Sequence, residues 1–316
     1  MQFLKNWTLP LSMLTGILSY FIYVSIPALN GTHAFMLHFI EVFQPLLLFC
    51  MLFVSFCKVS PKELRPHRWM FKLLAVQLLS FTGMGLLIIL LPDVPGRVVI
   101  ESAMICMICP TATAAAVVTT RLHGNPSAVV SYTCLINLLA SIAIPSVVSF
   151  IHEGAADLGF TTSFALIMGK VFPLLILPLL SAWFVRYMMP SFHRRILSHP
   201  DLAFNLWAVA LSLAIAVTVK AIVHSHESLL SLTLIAMASL LTCLLQFYLG
   251  HTIGKNHNET IAGTQALGQK NTIFAIWMGY TFLNPVTAMA GGFYSVWHNV
   301  INSWQLWRAR RNETPA

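Results

Sequence analysis

The segment 263–272, which reads GTQALGQKNT, holds the residue best suited to chemistry, Lys270, among long apolar stretches. A lysine near the middle of a membrane costs roughly 2.5 to 3.5 kcal/mol on insertion scales, so it needs polar neighbours or water. Its amine could occupy a cation site or exchange a proton. Loss of the proton would permit proton-coupled transport, and a permanent charge would favour facilitative transport or exchange. The structural alternative is a lysine that pins two helices together.

A second polar segment, 104–113, reads MICMICPTAT and places Pro110 within an apolar stretch. Proline removes a helical hydrogen bond and clashes with the preceding turn, so both segments predict broken helices. The ends of broken helices expose backbone N–H groups that attract anions. The candidate substrate-binding residues are Thr111, Thr113, Asn271, Thr272, His298 and Asn299. Threonine hydroxyls that bond back to their own helix are the alternative.

The composition bounds the class of protein. The chain is 57% hydrophobic and 9% charged over 316 residues, so lipid must be the solvent for most of it. Ten stretches are long enough to cross a membrane. They cover residues 8–28, 36–57, 69–91, 98–120, 127–150, 163–185, 203–223, 229–251, 260–281 and 285–307. No nucleophile elbow, P-loop or zinc-binding helix occurs, so we expect no enzyme, no metal and no cofactor.

The basic residues predict the orientation. With both termini in the cytoplasm, 14 of the 18 fall at inner span ends, and only Arg97 and Lys220 fall at outer ends. This asymmetry follows the positive-inside rule and predicts a multi-pass protein of a bacterial inner membrane. Topology and anionic lipid account for the net charge of +8, so nucleic acid is not an expected partner.

The ten spans divide into two halves, 1–155 and 156–316, joined by the polar stretch 151–162. An odd number of spans in each half predicts inverted repeats, a plan common in secondary carriers. Gln77 in the third span and Gln246 in the eighth lie in corresponding spans of the two halves, which weakly supports the repeat. The broken fourth and ninth spans occupy matching places, which is a pointer to a binding site.

Three segments resemble the bile acid:sodium symporter family. They run from Cys109-Pro110 to Gly124-Asn125, from Leu267 to Thr272, and from Tyr294 to Trp304. The resemblance implies an all-α fold of ten helices in two inverted repeats. It implies a panel of helices 1, 2, 6 and 7 and a core of helices 3–5 and 8–10, with the broken fourth and ninth helices crossing in the core beside a cavity. Members of the family typically carry organic anions coupled to two sodium ions.

This sequence departs from the family at the sodium site. A serine-asparagine pair is matched by Ala115-Ala116, a serine by Val129, a shared glutamate by Ala266 and a glutamine by Lys270. Sodium is a hard cation that needs oxygen ligands, so two-sodium coupling is not expected. We expect the Lys270 ammonium to replace the cation, held by polar residues of the same region. These are Gln77, Thr133, Gln269, Asn271 and exposed backbone carbonyls.

The sequence thus predicts a secondary transporter of a small organic anion that works by alternating access, with membrane lipid as its surroundings. Sterol conjugates and pantoate-like acids both remain open as substrates. The alternative is a membrane receptor or sensor derived from a carrier, which the missing sodium ligands would favour. The pair formed by Arg97 and Glu101, one helical turn apart, is expected to be exposed.

Overall fold

The computed structural model describes residues 2–152, 155–199, 201–225 and 227–313. This part of the chain is helical apart from its connections, and its only β-bridge joins Thr111 to Lys270 in antiparallel fashion. In chain order the first helices are α1 (Gln2–Ser25), α2 (His33–Cys57), α3 (Arg68–Leu90), α4 (Arg97–Ile108), α5 (Ala115–Arg121), α6 (Pro126–Val148) and α7 (Ala155–Met188). The remainder are α8 (Pro190–Leu197), α9 (Leu202–Val223), α10 (Leu229–Lys255), α11 (Thr260–Gly268), α12 (Thr272–Phe282) and α13 (Met289–Glu313).

A helix or a broken pair of helices covers each of the ten predicted spans. Six helices are long and apolar enough by themselves to cross a membrane, namely α2, α3, α6, α7 from Asp157, α9 and α10. Helix α13 is long but polar, and several of its polar side chains, such as Ser295 and Asn302, are buried. The fold class of an all-helical polytopic membrane protein is therefore correct.

Three features of the helices differ from the prediction. Most of the polar stretch 151–162 was expected to be a connection, yet α7 already begins at Ala155 and is interrupted only at Gly159, where φ is 70°. Helix α8 was not predicted at all, because its eight residues are too few and too basic to read as a span. Helix α13 begins at Met289, four residues later than expected, since Asn284 accepts a hydrogen bond from the backbone N–H of Val286 in a turn.

The described chain forms two compact units. The first comprises Met1–Lys58 and Leu177–His226, and the second comprises Val59–Ile176 and Glu227–Ala316. In the first unit, α1 meets α9 closely at Gly16, where a Cβ would lie 2.9 Å from the Cβ of Ile215. His193 of α8 bonds through Nε2 to the carbonyl of Cys57 at 2.8 Å, which fixes this short helix against the end of α2.

The second unit contains both broken helices and packs partly through glycine. A Cβ on Gly263 of α11 would lie 2.6 Å from the carbonyl oxygen of Gly250 and 2.8 Å from the Cα of Gly254, both on α10. Small residues let helix backbones approach closely in membranes, where dispersion contacts replace the hydrophobic effect between helices. The first half of the ninth span, α11, is thus held against α10 by direct backbone contact.

Candidate functional site

The two breaks meet in the second unit. Helix α4 ends at Ile108, two residues before Pro110, and helix α11 ends at Gly268. The backbone N–H of Ala112 donates to the carbonyl of Gln269 at 2.8 Å, and the N–H of Asn271 donates to the carbonyl of Pro110 at 2.8 Å. The extended segments between the half-helices therefore satisfy each other's backbone groups. We call this meeting point the crossing, and both predicted breaks are present there.

Several candidate binding side chains serve the backbone of the crossing. Thr111 donates its hydroxyl to the carbonyl of Ala266 at 2.6 Å, so it bonds across the crossing rather than back to its own helix. Asn271 caps α12 by accepting from the N–H of Phe274 at 3.2 Å, while its amide nitrogen is buried without a partner among the described residues. Thr272 is buried beside it, and Thr113 is partly exposed in the break of the fourth span.

Glutamine and tyrosine side chains hold the carbonyl ends of α4 and α11. Gln77 of α3 donates to the carbonyl of Met107 at 2.7 Å and accepts from the hydroxyl of Tyr132 on α6. Gln246 of α10 donates to the carbonyl of Cys106 and to the hydroxyl of Tyr294 on α13, each at 3.1 Å. Tyr294 in turn donates to the carbonyl of Gly268 at 2.8 Å. The last carbonyls of a helix have no partner within it, and these side chains supply one.

Lys270 lies at the crossing with 1% of its surface exposed. Its amine has no hydrogen-bond partner among the described residues. The thiols of Cys109, Cys106 and Cys243 lie in its vicinity. The expected cage is not formed among the described residues, since neither Gln77 nor Thr133 accepts a hydrogen bond from the amine; their side chains donate to the carbonyls of Met107 and Val129 instead.

Three positions at which the resemblance led us to expect replaced sodium ligands lie together in an apolar cluster. Ala115, Val129 and Ala266 are buried in a group that includes Trp69, Tyr132 and other hydrophobic residues, and Ala116 packs against it. Their side chains carry methyl groups and no oxygen atom, whereas a hard cation needs oxygen ligands. The side chains present at these three positions therefore do not fit a sodium ion.

His298 and Asn299 of α13 have different surroundings. His298 is 4% exposed, stands edge-on to the ring of Tyr294 at a centroid distance of 5.6 Å, and leaves Nδ1 without a partner in the described chain. Asn299 is half-buried and donates to the carbonyl of Ser295 at 2.6 Å. Of this predicted pair, only His298 thus has a buried polar atom free to bind something else.

The expectation of an exposed pair between Arg97 and Glu101 is wrong in one respect. The two side chains are paired at 2.8 Å, but Glu101 is only 4% exposed. Its second oxygen accepts from the hydroxyl of Thr287 at 3.1 Å, and Arg97 also donates to the carbonyl of Ile151 at 2.7 Å. Residues 186 positions apart share this contact, so sequence spacing alone could not reveal it.

Away from the crossing, the first unit contains a groove of about 490 Å³ between α2 and α7. Its lining is Phe49, Phe53, Leu180, Ser181, Phe184 and Val185. These side chains are apolar except for one hydroxyl. The groove is therefore unsuited to an ionic solute.

Apolar helices of membrane-spanning length and two broken helices that meet at a polar crossing define a multi-pass membrane protein. A family model described as the sodium bile acid symporter family matches residues 45–232, which is more than half of the chain. The protein therefore belongs to this family of transporters, whose members act on small molecules and are not enzymes. No curated protein matches the chain significantly. The matched range ends within α10, so Lys270 lies outside it.

Proposed function

We propose that this protein is a secondary transporter of a small organic anion, that it works by alternating access, and that Lys270 takes the place of the bound cation. The carrying observation is the buried amine of Lys270 at the crossing, which has no hydrogen-bond partner among the described residues. Burial of an unpaired amine destabilises the fold, so a purely structural role does not account for this lysine. Transport is then either proton-coupled or facilitative.

The apolar cluster at the family's sodium positions supports a mechanism without two-sodium coupling. Ala115, Val129 and Ala266 offer no oxygen atoms from their side chains, and Thr133 already donates its hydroxyl within α6. Sodium binds weakly without several oxygen ligands. A tethered ammonium at the crossing supplies a positive charge that needs no ion from solution.

The preference for an anion is supported by the groups at the beginning of α12. The positive end of this helix dipole lies at Thr272, directly after Lys270 and Asn271, whose side-chain nitrogen atoms are buried without a partner among the described residues. A carboxylate or sulfate would satisfy such donors. Thr113 and His298 are further candidate contacts.

The architecture we propose has ten membrane-spanning helices in two inverted repeats, with the first compact unit as the panel and the second as the core. Matching hydrogen bonds support the repeat. Gln77 of the third span pairs with Tyr132 of the fifth, and Gln246 of the eighth pairs with Tyr294 of the tenth. With an even number of spans and the observed charge bias, both termini lie in the cytoplasm of a bacterial cell.

Uptake into proteoliposomes tests the function. A panel of isotope-labelled carboxylates and sulfates is offered with sodium, then with choline at the same ionic strength, each with and without a pH gradient. We expect flux that is unchanged in choline. Flux that rises steeply with NaCl would contradict the replacement of sodium by Lys270. Uptake of amines alone would contradict the anion preference, and binding without flux would indicate a receptor.

A further inference from the structure

A row of polar side chains runs along one face of α13, away from the crossing. The polar stripe consists of Tyr294, His298, Asn302 and Gln305, spaced by four, four and three residues, which is the spacing of one helix face. Tyr294, His298 and Asn302 are each at most 4% exposed, whereas Gln305 is partly exposed. The stripe therefore leads from the buried crossing toward the end of α13 that carries Arg308.

Two hydrogen bonds anchor the stripe to α11. The hydroxyl of Tyr294 donates to the carbonyl of Gly268 at 2.8 Å, and the side-chain amide of Gln265 donates to that of Gln305 at 2.7 Å. His298 and Asn302 lie on α13 between these anchor points. Neither of these two side chains bridges to α11 through a hydrogen bond in the described structure.

The atoms between the anchors lack partners. Nδ1 of His298, both polar atoms of the Asn302 side chain and Oε1 of Gln265 are buried without a hydrogen bond among the described residues. A buried polar atom left unsatisfied costs about 1–3 kcal/mol, and natural proteins satisfy nearly all of them with protein or ordered water. Three such atoms on the stripe and one on Gln265, which bonds to the stripe from α11, indicate that they share a further binding partner.

The chemistry of these atoms selects that partner. The amide of Asn302 presents both a donor and an acceptor, Gln265 presents an acceptor, and the set carries no charged side chain. Buried water makes about three hydrogen bonds and accepts and donates equally well, which matches a neutral set of mixed donors and acceptors.

We propose that a file of ordered water molecules occupies the polar stripe between α11 and α13 and connects the crossing with the aqueous phase at Gln305. Insofar as the proposed function holds, the file ends near Lys270 and could serve its proton exchange, because Tyr294 donates to the carbonyl of Gly268, two residues before Lys270. The water file itself requires only the contacts of the second unit.

Hydroxyl-radical footprinting by X-ray radiolysis tests the file on the purified full chain. Side chains next to bound water are labelled even when buried, so Tyr294 and His298 should be labelled several-fold faster than Tyr132. Tyr132 is the matched control, since it is a buried tyrosine bonded to a glutamine within an apolar cluster. Equal labelling of Tyr294, His298 and Tyr132 would overturn the proposal.

Variants locate the effect. Asn302→Leu should reduce labelling of Tyr294 and His298 several-fold, while Asn302→Ser, which keeps a polar group that can bind water, should retain most of it. Ser303→Leu introduces the same side chain at the exposed neighbouring position and should change nothing. If Asn302→Leu does not fold, Gln265→Leu closes the stripe from the opposite helix. Unchanged labelling in the leucine variant of either position would refute the file, whether or not the protein transports an anion.

Discussion

At the scale of single residues, the surroundings of Lys270 offer its amine neither an opposite charge nor a hydrogen-bond acceptor among the described residues. Its side chain is buried, and the thiols of Cys106, Cys109 and Cys243 lie near it. Breaking a buried ion pair is strongly destabilising, but this amine has no ion-pair partner among the described residues to lose. Removing the amine should therefore spare the fold and affect the function.

Lys270→Met should reduce uptake about tenfold or more, which corresponds to about 1.4 kcal/mol or more of lost interaction. Yield and thermal unfolding temperature should remain the same or rise, since an apolar side chain of similar length replaces an unsatisfied amine. Uptake in proteoliposomes and thermal unfolding in detergent measure the two effects.

The control for this variant is Lys170→Met. Lys170 is exposed, with its amine 5.8 Å from the ring centroid of Phe282, so its loss should leave uptake unchanged. Parallel losses of uptake, yield and stability in Lys270→Met would instead show that Lys270 only pins helices together.

At the scale of elements, the half-helix α11 depends on backbone contact with α10. Gly250 lies against the carbonyl of Gly263, and a Cβ on Gly254 would approach the carbonyl of Glu259 at 2.5 Å. Backbone atoms cannot move aside as a flexible side chain can. The position of the broken ninth span, and hence of Lys270, is thus set by the absence of side chains on these glycines.

Gly250→Ala should lower stability by about 1–3 kcal/mol, the usual effect of forcing extra atoms into a packed site. The matched variant is Gly83→Ala in α3, where an added Cβ meets nothing within 4 Å. That substitution should be neutral or slightly stabilising, because alanine favours helix more than glycine does. Thermal unfolding of the two variants measures the difference, and equal unfolding temperatures would contradict the glycine contact.

At the scale of the whole molecule, the distribution of charge sets the orientation in the membrane. Basic residues gather at one set of loop ends, and the positive-inside rule assigns those ends to the cytoplasm. The proposed orientation places Ser198, after α8, inside and Ser225, after α9, outside.

Single cysteines test this orientation in a background without the six native cysteines. Ser225→Cys should react with a membrane-impermeant maleimide in intact cells, whereas Ser198→Cys should react only after the membrane is opened. All six native cysteines are free, so their replacement breaks no disulfide. The opposite pattern of labelling would reverse the topology.

The sequence by itself determined what depends on local composition. Apolar runs long enough for a membrane located the helices, and Pro110 and the polar segment 263–272 located both breaks, because these signals act within a few residues. Tertiary structure alone decided the partners. Thr111 meets Ala266, and Thr287 meets Glu101, across more than 150 residues of chain.

Lys270 shows the same difference between what the local sequence reveals and what the tertiary structure decides. Its presence in an apolar region could be read directly from the sequence, but the fold places no acceptor of Gln77 or Thr133 within hydrogen-bond reach of its amine. A hydrogen bond depends on distances of about 3 Å, which only the folded chain fixes. Hydrophobicity and helix breaking are properties of a segment, whereas satisfaction of a buried polar atom is a property of everything packed around it.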